Sequence, residues 1–192
     1  LVRHGRWDGR IHGYCPKLTP LELPKLLEET LDFLSNEFLK RHVEVKRHYE
    51  ASGRILGDPQ QLKQVFLNLF LNSLDAMTPP PARLPGGPAP NGAVPPLAEA
   101  ASGGVNGAGT LDIATMTKGA ELCVTITDDG AGIEPKDLPH LFEPFFTTKP
   151  TGTGLGLAIV QSLVTEHGGR VTVESRLHQG TSFTLHFPLA VG

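Results

Sequence analysis

Apolar residues first take up a helical period after Pro24. Leu27, Leu31, Leu34 and Phe38 stand at i, i+4, i+7 and i+11, the stripe of an amphipathic helix. Its start is predicted between Pro20 and Pro24, because proline is tolerated in a first helical turn. Val43 and Val45 then alternate with charged residues, predicting a strand to about Tyr49, and Ala51-Ser52-Gly53 turns the chain. Asp58-Pro59-Gln60-Gln61 predicts a second helix start, with Asp58 as cap, Pro59 in the first helical position and Gln61 closing a capping box. That helix continues to about Met77, where three prolines stop it. Leu111 to Met116 and Leu122 to Thr127 alternate apolar and polar around Lys118-Gly119, a hairpin. Residues 135–142 suggest a short helical turn. Gly156 to His167 is predicted as a helix, with Leu157, Val160 and Val164 on one face and Gly168-Gly169 as its stop. Val171-Val173 and Phe183-Leu185-Phe187 form a last pair of strands joined near Gln179-Gly180. No internal repeat is present. Several strands and three main helices predict a two-layer α/β arrangement.

Composition narrows this picture. A chain of 192 residues, 39% hydrophobic and 19% charged, is expected to form one domain around one core. A net charge of −3 gives no electrostatic reason to expect nucleic acid or an anionic membrane as partner. The longest dense apolar stretch, Val65 to Leu71, is interrupted by Asn68 and falls far short of the ~20 residues of a membrane span. The two cysteines, Cys15 and Cys123, are far apart, so a disulfide framework is not expected and a reducing cytosol fits. The chain begins with Leu1 and shows no charged-then-apolar leader, and we expect a fragment of a longer protein. Residues 1–17 are basic and aperiodic, the expected tail of a preceding region. Residues 78–109 hold eight prolines and seven glycines but only two charged residues. Such a segment buries too little apolar surface to offset its ordering entropy, so a disordered insertion within one domain is expected, with an interdomain linker as the alternative.

Three segments carry candidate chemistry. The helix at 58–77 is apolar enough to be buried nearly all round. Yet Gln61, Gln64, Asn68, Asn72 and Asp75 fall within about 80° of its circumference at ~100° per residue. That row faces either solvent or a polar ligand. An amide oxygen there is a hard neutral donor suited to one position on Mg²⁺. Asp128-Asp129-Gly130-Ala131-Gly132 follows the second hairpin strand. It reads as an ordinary strand-ending turn, or as Asp128 accepting from a donor such as an adenine amino group, with Gly130 and Gly132 letting backbone approach a flat ring. Gly152-Thr153-Gly154-Leu155-Gly156-Leu157 opens directly into a helix, where free N–H groups and the helix dipole favour an anion. It lacks the spacing of a P-loop or of a dinucleotide fingerprint. Just before it, Leu141-Phe142-Glu143-Pro144-Phe145-Phe146-Thr147-Thr148-Lys149 places three phenylalanines in five residues. This is a loop pinned by aromatics, a hinge for the glycine segment with Lys149 near phosphate, or both.

Order and spacing together resemble the Bergerat-fold ATPases, and within them the ATP-binding catalytic domains of bacterial two-component sensor histidine kinases. Asp58 to Met77 resembles the family's N box, Asp128 to Ile133 its G1 box, Phe142 to Lys149 its F box and Gly152 to Leu157 its G2 box. Gly180-Thr181-Ser182-Phe183 resembles the closing strand. The match covers about residues 20–189 without the insertion, and its FEPFFTTK stretch is most similar to the nitrogen-regulation and oxygen-sensing group. The resemblance implies a two-layer α/β sandwich with a mixed sheet of about five strands on three helices. It implies ATP and Mg²⁺ as cofactors. Asn72 would be the Mg²⁺ ligand with Asn68 assisting, and Asp75 and Lys149 would lie at the nucleotide. Asp128 would recognise adenine, helped by Thr181, and Gly130, Gly132 and Ile133 would line the base pocket. Gly152, Thr153, Gly154, Leu155, Gly156 and Leu157 would close over the phosphates.

In hydrolysing relatives, the gyrase-like and mismatch-repair ATPases, the position of Asn68 is a glutamate that activates water. An amide is a poor general base, which favours phosphoryl transfer to a protein histidine. None of the eight histidines is followed by an acidic residue or sits on a suitable upstream helix, so this chain is not expected to autophosphorylate. The expected partners are the dimerisation and phosphoacceptor domain of the same kinase and a downstream response regulator. A monomeric, cytoplasmic domain is expected, whether or not the intact protein is membrane-anchored. The alternatives are a non-catalytic nucleotide-binding or interaction module and an ATP-hydrolysing member of the same fold. Only Pro150 and Thr151 separate the F and G2 boxes, leaving an ATP lid little room.

Overall fold

The apolar sides of the predicted helices face one side of a five-stranded sheet. The computed structural model describes residues 18–77, 109–149 and 152–190. In chain order the elements are Thr19–Leu21 (β1), Leu23–Lys40 (α1), Glu44–Tyr49 (β2), Ile55–Gly57 (β3), Pro59–Met77 (α2), Thr110–Lys118 (β4), Glu121–Asp128 (β5), Gly156–Glu166 (α3), Arg170–Ser175 (β6) and Thr181–Pro188 (β7). The turn expected within 135–142 is a single 3-10 turn, Leu138–His140. The main sheet has the order β2-β4-β5-β7-β6. Strand β2 pairs parallel with β4, and all other neighbours are antiparallel. A parallel pair needs a crossover, and α2 lies within it.

Period-two alternation decides the faces. Leu111 and Ile113, then Leu122, Val124 and Ile126, then Phe183, Leu185 and Phe187 point to the helices and are buried. The residues between them form a polar outer face, where Thr125 meets Thr184 (3.3 Å) and Thr127 meets Ser182 (2.9 Å). From the helices come Leu27, Leu31, Leu34 and Phe38 of α1, the predicted stripe, and Leu62, Val65, Phe66, Leu69, Phe70 and Leu74 of α2. Phe66 and Phe70 stack with ring centroids 6.4 Å apart. The α2 helix is not buried all round, because Leu67 is half-exposed and Leu71 exposed.

The start of α2 departs from the predicted capping box. Asp58 caps as expected, its Oδ1 accepting from the N–H groups of Gln60 (2.9 Å) and Gln61 (3.2 Å). Gln61 does not return the bond. Its Oε1 is buried without a partner among the described residues, and the Asp58 N–H donates instead to His167 Nε2 at 3.0 Å. His167 in turn donates through Nδ1 to the Leu163 carbonyl at 2.7 Å, which selects the Nδ1–H tautomer. One imidazole thus ties the start of α2 to the end of α3. Beyond it Gly168 takes φ +70° and the Gly169 N–H returns to the Val164 carbonyl, the predicted stop.

A second sheet was not foreseen. Strands β1 and β3 pair antiparallel, Thr19 with Gly57 and Leu21 with Ile55. Three residues are too few to show alternation, so only the pairing reveals them. Residues 1–17 and 78–108, the expected tail and nearly all of the expected insertion, lie outside the described residues, as does the pair Pro150 and Thr151.

Truncating Phe66 to alanine is expected to cost about 3–5 kcal/mol in a urea titration, because the ring is fully buried. Phe33 is 77% exposed, and Phe33→Ala is expected to stay within about 0.5 kcal/mol of the parent.

Candidate functional site

Strand β5 ends on a buried acid. Asp128 is 3% exposed, faces the helix side of the sheet and pairs in register with Thr181 of β7. Burial pushes its carboxyl above the ordinary aspartate range, and the Gly130 N–H, the Ser73 hydroxyl and the Thr181 N–H offset only part of that. Its Oδ1 accepts from the Gly130 N–H at 3.0 Å. Among the described residues no cation pairs with it. A buried carboxyl held by neutral donors alone is a ready acceptor for a further neutral N–H.

The loop after Asp128 lies across the end of α2. The Ala131 N–H donates to the Ala76 carbonyl at 3.0 Å, satisfying one of the helix's terminal acceptors. A side chain on Gly130 would meet that carbonyl group at 2.7 Å. Gly132 has φ +69°, and a Cβ there would stand 2.0 Å from the Arg176 carbonyl oxygen. Both glycines are therefore demanded by the protein's own backbone, a reason separate from the approach of a ring. The Ile133 N–H donates to Ser175 Oγ at 2.9 Å. Ser175 gives its single proton to the Gly180 carbonyl (3.0 Å), so at its 2.9 Å contact with Thr181 the threonine is the donor. Ser175 thus fixes both the loop and Thr181. Ser73, 1% exposed, stands near the Asp128 carboxyl, and its Oγ is buried with no hydrogen-bond partner among the described residues.

A second group of predicted residues gathers on the same helix. Lys149 Nζ donates to Asn72 Oδ1 at 3.3 Å and to Asp75 Oδ2 at 2.9 Å. Arg41, at the end of α1, donates to the other Asp75 oxygen at 3.1 Å. Burial alone would push Asp75 up, but Lys149 and Arg41 outweigh it and hold the carboxyl below its usual range. The Asn72 amide oxygen therefore already faces a cation. Asn68 uses its amide nitrogen differently, donating to the Gly156 carbonyl at 3.3 Å and joining α2 to the first residue of α3.

The glycine segment packs against the phenylalanine segment by backbone. The Phe145 N–H donates to the Gly154 carbonyl at 2.9 Å, and both residues have positive φ, 69° and 66°. A side chain on Gly154 would strike the Phe145 backbone at 2.3 Å. The aromatics do not all pin the loop. Phe142 packs on the core, Phe146 lies tilted against the His140 ring with centroids 5.7 Å apart, and Phe145 is 75% exposed. Gly152 and Thr153 are exposed, while Leu155 and Leu157 are half-buried. Among the described residues no side chain caps α3, and Thr153 Oγ1 accepts from the N–H of Leu155, one residue before the helix, at 3.4 Å. Gly156 looks into open space.

The structure thus brings together Asp128, Gly130, Gly132, Ile133 and Thr181 in one group, Asn72, Asp75 and Lys149 in another, and Asn68 with Gly156 in a third. Residues 68 to 76 of α2 join all three. Sequence reasoning missed Arg41, Ser73, Ser175 and His167. Only Ser73 leaves a trace there, as a hydroxyl inside an apolar run. Two surface hollows of about 230 and 360 Å³ lie along α1 and carry none of these residues.

Comparison with known proteins points the same way. The sequence model of the histidine kinase-, DNA gyrase B- and HSP90-like ATPases matches residues 57–191. The chain is 31% identical to the sensor histidine kinase ZraS of Salmonella typhimurium, over 90% of this chain and 31% of that protein. It is 34% identical to the sensory histidine kinase/phosphatase NtrB of Rhizobium meliloti, over 90% of this chain and 42% of that one. The chain therefore spans less than half the length of these relatives. The catalytic domain of the histidine kinase ThkA superposes with a TM-score of 0.68 at 25% identity, covering 90% of this chain and 95% of that domain.

Two glycines separate backbone necessity from ligand approach. Gly132→Ala is expected to destabilise the fold by at least about 1–2 kcal/mol, since it needs left-handed backbone and has no room. Gly156→Ala is expected to shift stability by under about 1 kcal/mol, since nothing opposes its Cβ. Chemical denaturation of both variants checks the pair.

Proposed function

Because the chain belongs to the histidine kinase-, DNA gyrase B- and HSP90-like ATPase family, we propose that it binds Mg-ATP and supplies the γ-phosphoryl group to a histidine. That histidine lies on the dimerisation domain of an intact cytoplasmic or membrane-anchored sensor kinase, which then serves a response regulator. The observation that carries this reading is Asp128, a buried carboxyl with neutral donors and, among the described residues, no cation, at the start of a glycine loop bonded to the end of α2. An adenine amino group supplies the further donor such an acid accepts. The Gly130 N–H holds the carboxyl, and Thr181, held by Ser175, pairs with Asp128 in register.

The residues at Asn72 fit a magnesium ion. The amide oxygen is a hard neutral donor, and in this structure it already accepts from a cation, the Lys149 ammonium. Asn72 would hold the ion, which when bound screens the charge on the phosphate oxygens. Lys149, released from Asn72 and Asp75, reaches for phosphate. Asp75 keeps Arg41 as its partner when Lys149 leaves. The uncapped start of α3 and the open space at Gly156 leave room for phosphate against N–H groups.

Transfer is favoured over hydrolysis at Asn68. Its amide nitrogen is engaged with the Gly156 carbonyl, and an amide has no basic lone pair with which to activate water. The domain positions and neutralises. The acceptor histidine arrives on another domain, and the domain on its own is expected to be monomeric and silent in autophosphorylation.

Calorimetric titration of ATP with Mg²⁺ tests this. Asp128→Asn is expected to weaken binding at least about tenfold, or ~1.4 kcal/mol. Asn72→Ala is expected to make binding less dependent on the metal, and Gly156→Ala to lower affinity while leaving the fold intact. Labelling of a supplied histidine-bearing helical domain completes the test. A folded domain that binds no ATP, or that binds it and never labels that histidine, sinks the kinase reading. The pH profile is a separate check. The acceptor form of Asp128 is the ionised one and burial raises its pKa, so ATP affinity is expected to fall as pH is lowered, beginning above the ordinary aspartate range. Asp128→Asn should remove that dependence.

A further inference from the structure

The polar face of the sheet, turned away from the helices, carries a cluster that nucleotide binding does not use. Glu121 and Cys123 stand two apart on β5 and so share that face. Directly across from Cys123 in register is His186 of β7, and across from His186 is Arg170 of β6. The Cys123 Sγ lies 3.3 Å from His186 Nδ1, and Glu121 Oε2 lies 3.5 Å from the same nitrogen. The three donor atoms all fall within 4.8 Å of one another. Tetrahedral zinc, with bonds of about 2.0–2.1 Å to nitrogen and oxygen and 2.3 Å to sulfur, sets its ligand atoms about 3.3–3.6 Å apart. Two of the three edges already have that length.

The tautomer of His186 is also in place. Arg170 NH2 approaches Nδ1 at 3.1 Å, and a guanidinium has donors only. That contact occupies the Nδ1 lone pair, the one a metal would take once Arg170 withdraws. Arg170 pairs with Glu121 through both guanidinium nitrogens. Its positive charge sits where three potential ligands converge. More than half of its side chain is exposed, so it can withdraw into solvent. Cys123 is 3% exposed and has no other polar contact among the described residues.

We propose that Glu121, Cys123 and His186 form a site for a zinc-class divalent metal, with Arg170 as the cation that keeps the donors together when no metal is bound. A sulfur, an imidazole and one carboxylate are a borderline-soft set, which selects zinc over magnesium. The ion binds the thiolate, so the Cys123 proton leaves to solvent as the metal enters, and water takes the fourth position. Cys123 is five residues from Asp128 along β5, about 17 Å, and on the opposite face. The site is thus separate from the nucleotide cleft. It staples β5 to β7, the two strands whose other ends carry Asp128 and Thr181, and binding there stabilises the folded state.

The test is titration of the reduced, chelator-treated full chain with Zn²⁺, with Co²⁺ as the spectroscopic probe. The chain is expected to bind one ion with Cys123 as ligand, giving a thiolate-to-cobalt absorption band. Cys123→Ser should abolish the band, and Cys123→Ser and Glu121→Gln should each weaken zinc binding at least tenfold. Arg170→Gln should tighten it, and a large excess of Mg²⁺ should not compete. Residues 1–17 contain His4, His12 and Cys15, so Cys15→Ser is the control and should change nothing. The thermal transition of each variant without metal shows that it folds. Zinc affinity unchanged in folded Cys123→Ser, or a cobalt band that follows Cys15 instead, would overturn the site and leave only an Arg170–Glu121 ion pair. Neither result bears on ATP binding, which uses other residues.

Discussion

The rotation of α2 about its own axis is the constraint on which the rest of the structure depends. Phe66 and Phe70 are fully buried against the inner face of the sheet, and Leu62, Leu69 and Leu74 fill the space around them. A rotation of even one residue, about 100°, would lift these rings into solvent. With the apolar face held, Asn68, Asn72, Ser73, Asp75 and Ala76 have no freedom in where they point. Asn68 meets α3, Asn72 and Asp75 meet Lys149, Ser73 meets Asp128, and the Ala76 carbonyl receives the glycine loop. Core packing and site geometry are one requirement placed on one helix.

Two aspartates, one on that helix and one at the end of β5, show how environment divides their work. Asp75 is half-exposed and lies between Lys149 and Arg41, which keep it ionised. Asp128 is buried with neutral donors only, and its carboxyl is harder to ionise. The first gathers two cations, Lys149 and Arg41. The second keeps its oxygens among neutral groups, with the Gly130 N–H on Oδ1. The cation that balances Asp75 is partly movable, since Lys149 belongs to a loop, whereas the donors around Asp128 come from backbone and from a packed helix.

The outer face of the sheet follows different physics. Short hydroxyl side chains cover its middle, where Thr125 meets Thr184 and Thr127 meets Ser182, and ionisable groups gather toward the hairpin end. A sheet covered by helices on one side has no need to bury this face, so polar and metal-ligating residues can collect there without a cost to the core.

Much of the architecture was legible from local pattern. Helical period marked α1 and α2, alternation marked β4, β5 and β7, and glycine and proline marked the ends, because burial on one face of a regular element imposes a period. Asp128, Asn72 and the glycines of both loops were visible for the same reason, each standing at a fixed place relative to an element. What the chain order could not decide was which distant side chain completes each of these places. His167 reaches Asp58 across 109 residues, Lys149 reaches Asn72 across 77, and Arg41 reaches Asp75 across 34. Ser175 holds Thr181 and Ile133, and β1 pairs β3, without any mark in their own segments. Local sequence sets the period of an element and so its faces, whereas a contact between elements exists only once packing has chosen their order and rotation.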